Sequence, residues 1–256
     1  MIKSEIVGYS QAFVEKRTDW TDEIFSLRLT GASLKFKAGQ FTKLALLDDQ
    51  GELISRAYSL VNAPLMTSDV LEFLLISNSD GKLSPRLHQL KVGDGLYVGD
   101  SAHGDLIFET IPKPSTNLWL LSTGTGIGPF LSLLDDLNFR PNCDKVVLVH
   151  GVRHQADLVY HYLIEQLIEQ YEGRLVYIPI VSREIKQGAL HGRIPQLIDE
   201  GQLMDAAGVN FDPEGSFVML CGNPAMIKDT TKSLLNQGLS RFRHAVGGNI
   251  VYERYW

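Results

Sequence analysis

Leu118-Trp119-Leu120-Leu121, followed by Thr123-Gly124-Thr125-Gly126-Ile127-Gly128-Pro129, decides the fold of the second half of this chain. The first run is short and apolar, as in a buried parallel strand, and the second is a glycine-rich turn that opens a helix. Glycines let a backbone approach phosphate closely, and a helix start offers unpaired N–H groups. The spacing is G-x-G-x-G-P, which departs from the G-x-G-x-x-G fingerprint. A dinucleotide site is the favoured interpretation of this turn, and a purely structural turn is the alternative.

The rest of the second half alternates short apolar segments with helical ones. We expect strands at 118–122, 146–150, 175–181 and 217–221, and helices from about 128, from 156 to 171, near 194–200 and from 225 to 236. Such alternation is typical of a parallel sheet with helices on both faces.

The first hundred residues have a different rhythm. Apolar segments at 24–29, 41–47, 54–60, 71–76 and 96–98 are separated by Gly, Asp, Asn and Pro, as in a small antiparallel barrel. The segment Ile111-Pro112-Lys113-Pro114-Ser115 then breaks the pattern, because prolines cannot donate to a sheet ladder. We therefore predict two domains, 1–111 and 112–256, with a single larger barrel as the alternative.

Composition narrows the classes of protein that this chain can be. A formal net charge of -6 over 256 residues argues against a general nucleic-acid binder. The first residues lack the layout of a signal peptide, and no apolar run approaches the roughly 18 residues that span a membrane, so we expect a cytoplasmic protein. The two cysteines, Cys143 and Cys221, cannot hold an iron-sulfur cluster within this chain, and the histidines lack the spacing of a metal site.

Arg56-Ala57-Tyr58-Ser59 closes an apolar strand and combines three chemical groups that suit a flavin. Arginine can grip a pyrophosphate, tyrosine can stack on a ring system, and a serine hydroxyl can reach a ring nitrogen. A surface ion pair and a half-buried aromatic are the alternative for this tetrapeptide. In the same half, Gly81-Lys82-Leu83-Ser84-Pro85 resembles a helix start, with Ser84 suited to the N-cap and Pro85 to the first helical position.

Three arginines follow strands or turns of the second half: Arg153, Arg183 and Arg193. The carboxyl ends of parallel strands line the ligand crevice, and arginines there favour a 2′-phosphate, whereas an acidic residue would favour the ribose of NAD. NADP(H) is therefore the implied dinucleotide. A solvated charge, or a pair with Glu184 or Asp157, is the alternative for each arginine.

The ordered motifs together resemble one family, the bacterial ferredoxin (flavodoxin)–NADP reductases. The residues that carry the resemblance are Arg56-Ala57-Tyr58-Ser59, Gly81-Lys82-Leu83-Ser84, Gly124-Thr125-Gly126-Ile127-Gly128-Pro129, Cys221-Gly222-Asn223-Pro224 and the aromatic terminus. The resemblance covers nearly the whole chain. It implies a six-stranded antiparallel FAD-binding β-barrel followed by an α/β NADP-binding domain with a five-stranded parallel sheet.

The resemblance also implies roles for individual residues. Arg56 would contact the FAD pyrophosphate, Tyr58 would stack on the isoalloxazine beside Ala57, and Ser59 would hydrogen-bond near flavin N5. Further FAD contacts would come from the backbone of Phe73, Leu74, Leu75 and Ile76, from Lys82, Leu83 and Ser84 around the phosphates, and from Thr123. The NADP contacts would come from Gly124, Thr125 and Gly126 at the pyrophosphate and from Arg153, Ser182, Arg183 and Arg193 at the adenosine phosphate.

Four residues near the chain end are implied to surround the reacting rings. Cys221 would lie beside the nicotinamide, and Glu253 would approach Ser59. Tyr255 would stack on the flavin face that the nicotinamide must reach, and Trp256 on the FAD adenine. Because Tyr255 would cover the flavin, the tail would have to move during turnover.

The implied activity is FAD-dependent electron transfer between NADPH and the one-electron carriers ferredoxin or flavodoxin, by a monomer. Two alternatives stay open from the sequence. One is an NAD(P)H oxidoreductase that serves free flavin, a quinone or an oxygenase, and the other is a non-catalytic flavin-binding sensor.

Overall fold

Two six-stranded sheets form the architecture of this protein. The computed structural model describes residues 6–64, 70–113, 115–139, 141 and 143–254. The strands of the first sheet are β1 (Tyr9–Asp19), β2 (Ile24–Thr30), β3 (Phe41–Leu47), β4 (Leu53–Ser59), β5 (Leu71–Ile76) and β6 (Gly95–Gly99). Its strand order is β4-β3-β6-β1-β2-β5, and every neighbouring pair is antiparallel.

The first sheet curls around a core of large apolar side chains, among them Phe25, Leu27 and Phe73. Strands β4 and β5 are the two edges of the sheet, and a single bridge between Leu60 and Phe73 brings them together. The sheet is therefore an antiparallel barrel with one loosely closed seam, as predicted for this half.

Strand β1 was not predicted, because its apolar run, Ala12-Phe13-Val14, is short and is followed by five polar or charged residues. Over Tyr9–Asp19, only Ala12 and Val14 are buried, and the register shifts between Val14 and Lys16. A half-exposed strand with polar side chains gives no alternation to detect.

The second sheet is parallel throughout. Its strands are β7 (Asn117–Thr123), β8 (Lys145–Val152), β9 (Leu175–Val181), β10 (Leu190–His191), β11 (Ser216–Gly222) and β12 (Ile250–Arg254), in the order β10-β9-β8-β7-β11-β12. The predicted fold class is confirmed, but the sheet has six strands where five were expected. The four strands expected from the sequence include neither β10 nor β12; β10 has only two residues, which pair with Ile180 and Val181 and are too few to form an apolar run.

Within the described residues, six α-helices accompany the sheets: α1 (Ser84–His88), α2 (Gly128–Asp135), α3 (His161–Gln170), α4 (Ile194–Asp199), α5 (Gln202–Ala207) and α6 (Pro224–Asn236). The helix predicted for 156–171 is shorter than expected. A 3-10 turn at Gln155–Asp157 comes first, and Tyr160, at a left-handed φ of 60°, separates it from α3. Helix α5 was not predicted, since its six residues hold only two buried side chains. In the described ranges, no helix is long and apolar enough to cross a membrane.

The two halves share a core. Val61 and Leu74 of the first half belong to the same buried cluster as Leu120 and Phe130 of the second. A polar link adds to it, because the hydroxyl of Ser132 in α2 donates to the carbonyl of Asn62 at 2.7 Å. The predicted domain boundary at 111/112 falls between β6 and β7, and its exact position stays a prediction.

Candidate functional site

The glycine-rich turn lies at the carboxyl end of β7, in the middle of the second sheet. Gly124–Ile127 form a 3-10 turn that continues directly into α2, as the sequence indicated. Gly124 has a φ of +54°, and a Cβ at this position would meet no atom within 4 Å. A Cβ at Gly126 would lie 2.5 Å from the carbonyl oxygen of Cys221. The turn is therefore closed against β11 at Gly126 and open at Gly124, as a phosphate-binding turn needs to be.

The end of β11 is joined to this turn. Cys221 pairs with Ser122 of β7 on one side and with Glu253 of β12 on the other. The backbone N–H of Asn223 donates to the Thr123 hydroxyl at 3.1 Å, so this hydroxyl serves the join between the two strands. Cys221 itself is 0% exposed, and its thiol lies in the shared core. Its implied place beside a nicotinamide stays a prediction.

The three arginines lie at the carboxyl ends of neighbouring strands. Arg153 follows β8, Arg183 follows β9 and Arg193 follows β10, and all three are exposed. The N–H of Arg183 donates to the carbonyl of Arg153 at 3.0 Å, and Ser182 donates through both its N–H and its hydroxyl to the carbonyl of Val152. Backbone hydrogen bonds therefore hold the first two loops side by side.

The carboxylates expected as alternative partners of these arginines are engaged elsewhere. Glu184 accepts a hydrogen bond from the N–H of Gln155, and Asp157 accepts one from the N–H of His154 at 3.1 Å. Among the described residues, no carboxylate lies within 4 Å of the charged nitrogens of the three arginines. Their charge is consequently available to a phosphate.

The seam of the first sheet opens beside the Arg56-Ala57-Tyr58-Ser59 motif. The Leu60–Phe73 bridge closes β4 onto β5, and the N–H of Val61 donates to the carbonyl of Glu72 at 2.8 Å on one side of it. On the other side, in the part of the chain that the structure describes, no ladder pair joins the end of β4 to 74–76 of β5. Beyond the bridge, the ends of β4 and β5 are therefore two neighbouring strand edges that no ladder joins among the described residues. Such edges offer backbone donors and acceptors to a flat ligand.

The side chains of the motif differ in exposure. Arg56 and Ala57 are exposed, and the Arg56 guanidinium donates to the carbonyl of Ser55 at 2.7 Å. Tyr58 is half-buried against the barrel core, and this burial raises the pKa of its phenol to about 12, so the ring stays neutral. Ser59 is buried at 5% exposure.

The segment around Ser84 was expected to begin a helix with a serine cap and to contact the FAD phosphates. The prediction that Ser84 is an N-cap is wrong: Leu83 precedes the helix and Ser84 is its first residue. The Ser84 hydroxyl instead accepts from the N–H of Asn78 at 3.1 Å, because a turn at 78–81 brings that N–H to it. Lys82 is exposed and Leu83 is buried, and their contacts with FAD phosphates stay predictions, as does that of Ser84.

Glu253 lies in β12 of the second half and contacts residues of the first half. Its carboxylate accepts the N–H of Asp105 at 2.8 Å. Burial raises the pKa of this carboxyl to about 7, with the charge of Asp105 adding to the effect and backbone N–H groups opposing it. A Cβ at Gly104 would lie 2.4 Å from Glu253 and 3.2 Å from the ring of Phe41, the strand partner of Ser59. Glu253 thus lies beside Gly104 and Phe41, and its approach to Ser59 stays a prediction. Tyr255 and Trp256 lie outside the described residues.

The sequence analysis did not assign a role to His150, a buried polar residue two positions before the end of β8. Its ring nitrogen Nε2 lies 3.1 Å from the carbonyl oxygen of Gly124. A histidine closing an otherwise apolar strand, next to the strand that carries the glycines, was the available signal.

Comparisons with known proteins agree with this geometry. Residues 14–103 match the model of the oxidoreductase FAD-binding domain, and residues 120–232 match that of the oxidoreductase NAD-binding domain. The flavodoxin/ferredoxin–NADP reductases of Shigella flexneri and Escherichia coli are each 45% identical over 244 residues, which cover 95% of this chain and 97% of each relative. The chain belongs to the flavodoxin/ferredoxin–NADP reductase family.

A solved structure supports the same assignment. The crystal structure of a ferredoxin NADP+ reductase from Neisseria gonorrhoeae, with bound FAD and NADP, has a TM-score of 0.88 at 31% identity and covers 97% of this chain and 99% of that one. The resemblance inferred from the motifs is therefore confirmed, together with the two cofactor-binding domains.

Proposed function

We propose that this protein transfers electrons between NADPH and ferredoxin or flavodoxin, with FAD as its redox cofactor. One observation carries the proposal: the open seam of the first sheet and the glycine turn of the second are adjacent. Val61 follows the Leu60–Phe73 bridge and approaches Gly128, where a Cβ would lie 3.3 Å from it. Strand β5 also contacts the turn at Gly124–Ile127. A ligand in the seam and a ligand on the turn would therefore meet.

The residues of the seam fit FAD. The exposed Arg56 guanidinium suits the pyrophosphate, and the neutral ring of Tyr58 suits one face of the isoalloxazine. Backbone groups of Leu74, Leu75 and Ile76 along this strand edge would hydrogen-bond to the ring edge. When bound, FAD takes two electrons with a hydride from NADPH and releases them singly to a carrier. The protein's own task is to align the two cofactors.

The second half fits NADP(H) for two reasons. The space above Gly124 admits a pyrophosphate at a helix start, and Thr125 and Gly126 continue that turn. The uncompensated charges of Arg153, Arg183 and Arg193 would bind the 2′-phosphate, with Ser182 fixing the loop between them.

Ser59, Glu253, Cys221 and Tyr255 are proposed to surround the reacting atoms. Glu253, with its pKa of about 7, can hold or release a proton near Ser59 at neutral pH. Because the Cys221 thiol is fully buried, it can meet a nicotinamide only after a neighbouring element moves. This agrees with the proposed movement of the tail, with Tyr255 over the flavin and Trp256 over the adenine.

The partner is proposed to be an acidic one-electron carrier. Arg241 and Arg243 precede β12, Arg254 ends it, and all three are exposed, as is Lys82. Arg86, close to Lys82 in the sequence, contributes less to such a surface, because its guanidinium donates two hydrogen bonds of 3.0 and 3.2 Å to Asp49. A monomeric state and a cytoplasmic location stay predictions from the sequence.

Anaerobic stopped-flow spectroscopy tests the proposed function. NADPH should bleach the flavin of the yellow holoenzyme, and addition of oxidised ferredoxin or flavodoxin should restore the colour. Flavin that stays oxidised in NADPH would indicate a sensor. Bleaching that free flavin or a quinone reverses, but neither carrier does, would indicate the alternative oxidoreductase.

A further inference from the structure

We propose that His150 is a positioning residue for the NADP(H) pyrophosphate. Its imidazole donates a hydrogen bond to the carbonyl of Gly124, and this bond fixes the orientation of the glycine turn that binds the pyrophosphate. The inference rests on the proposed function, since it assumes that this turn binds the pyrophosphate. It concerns a residue of the sheet interior, one strand away from the turn.

The geometry determines which ring nitrogen carries the proton. The Gly124 carbonyl can only accept, so Nε2, at 3.1 Å, must carry a hydrogen and donate it. The other nitrogen, Nδ1, is buried, and within the described residues it has no hydrogen-bond partner. A proton on Nδ1 would therefore be a buried, unpaired donor.

The imidazole is neutral under working conditions. His150 is 0% exposed, between Ser122 of β7 and Pro179 of β9. Its pKa is lowered to about 4, chiefly by burial and to a smaller extent by the nearby His161, and the bond to Gly124 acts in the opposite direction. The described residues contain no group of three or more His, Cys, Asp or Glu side chains that could hold a metal ion, so a ligand role does not account for the ring.

The bond matters because of the peptide unit that it holds. In a planar trans peptide, the C=O and the following N–H point in opposite directions. When the Gly124 carbonyl points at His150, the N–H of Thr125 points away from it. N–H groups at a helix start are the groups that bind phosphate, and Gly124, which has a left-handed φ and no Cβ, restrains its own backbone less than another residue would. Loss of the imidazole donor should therefore loosen the turn and weaken the pyrophosphate contact.

Two variants of the holoenzyme separate this role from simple packing. His150→Phe keeps a ring and removes the donor, whereas His150→Gln keeps an N–H donor at the place of Nε2. Isothermal titration calorimetry with NADP+ and with 2′-AMP, which lacks the pyrophosphate, gives a readout independent of turnover. We expect His150→Phe to raise the Kd for NADP+ about tenfold, the size of one lost hydrogen bond to a buried carbonyl. The Kd for 2′-AMP should be unchanged, and His150→Gln should restore most of the NADP+ affinity.

Three results would overturn the inference: unchanged NADP+ affinity in His150→Phe, an equal loss for 2′-AMP, or no rescue by His150→Gln. Gly124→Asp distinguishes this failure from failure of the proposed function, because Asp tolerates a left-handed φ and repels a phosphate. If Gly124→Asp also leaves NADP+ affinity unchanged, the turn is not the pyrophosphate site. If it weakens NADP+ binding and His150→Phe does not, only the role of His150 fails.

A measurement on the unmodified protein covers the case in which His150→Phe does not fold. With ¹⁵N-labelled histidine, the NMR spectrum should show His150 as the neutral tautomer protonated on Nε2. Its Nε2 resonance should shift when NADP+ is added and stay in place with 2′-AMP. A charged ring, a proton on Nδ1, or the same response to both ligands would contradict the proposal.

Discussion

The hydroxyl of Tyr160 ties the start of α3 to the first sheet, and its removal should destabilise the whole molecule. The indole N–H of Trp20 donates to the Ser26 hydroxyl at 2.7 Å, and the phenol of Tyr160 donates to a carboxylate oxygen of Glu72 at 2.6 Å. Since the phenol has a single hydrogen, the 2.8 Å contact between Ser26 and Tyr160 must be donated by Ser26. Burial raises the pKa of the Tyr160 phenol above its ordinary value, so it stays a donor.

The cost of Tyr160→Phe follows from these bonds. A hydrogen bond to a charged acceptor contributes about 1.5–3 kcal/mol, and the one from Ser26 about 0.5–1.5 kcal/mol. Glu72 is half-buried, so water can partly replace the phenol at its carboxylate. We therefore expect the free energy of unfolding to fall by about 2–3 kcal/mol, and Tm to fall by about 4–10 °C in a protein of this size.

Thermal unfolding of the FAD-saturated protein, followed by circular dichroism, measures this shift. Tyr162→Phe is the matched control, since Tyr162 lies two residues further along, in the first turn of α3, is 73% exposed, and its hydroxyl makes no hydrogen bond among the described residues. Its Tm should be that of the unmodified protein. A Tyr160→Phe protein that melts within a degree of the control would refute the account of the interface.

Three further predictions concern the site. Arg183→Ala combined with Arg193→Ala should lower kcat/KM for NADPH by roughly a hundredfold or more relative to NADH. The control Arg174→Ala, at the amino end of β9, should leave kcat/KM for both nucleotides unchanged. An equal loss of kcat/KM with the two nucleotides would remove the 2′-phosphate assignment. The folded pKa of Glu253, about 7, exceeds its ordinary 4.5, so the folded state holds the extra proton. The free energy of unfolding should fall by at most about 3 kcal/mol as pH rises through that window, and urea unfolding of Glu253→Gln should lack this fall; a pH dependence kept in the variant would exclude the carboxyl as its source. Gly126→Ala should destabilise the protein by about 1–3 kcal/mol, because its Cβ would lie 2.5 Å from a carbonyl oxygen of β11; an unchanged urea midpoint would contradict that close approach.

Where the pattern was regular, the sequence predicted the fold. The apolar run before Gly124, the helix after it and the two prolines near 112 each imposed a strong local preference, and the structure has the expected strand, turn and helix there. Strands β1, β10 and β12 were not found in this way. The first is polar and half-exposed, and the second consists of two residues that pair only because β9 already presents an edge.

The same distinction holds for the candidate site: some of its features follow from the sequence and others do not. The arginines after β8, β9 and β10 follow from topology, because strand ends of a parallel sheet meet at one edge. The seam between β4 and β5 does not follow from sequence, since it depends on where one barrel ladder stops. Nor does the bond from His150 to Gly124, which joins residues 26 positions apart across two strands. Contacts of that kind depend on how distant segments pack together, so the local sequence pattern does not predict them.

The central claim is that the seam and the turn bring one face of a nicotinamide against the flavin. Anaerobic flavin reduction by NADPH deuterated at either the 4R or the 4S hydrogen of the nicotinamide tests this most directly. The account predicts that bleaching is slowed by deuterium at one of the two positions only, because a fixed geometry presents one hydrogen for transfer. Equal slowing at both positions, or none at either while binding is unchanged, would contradict it.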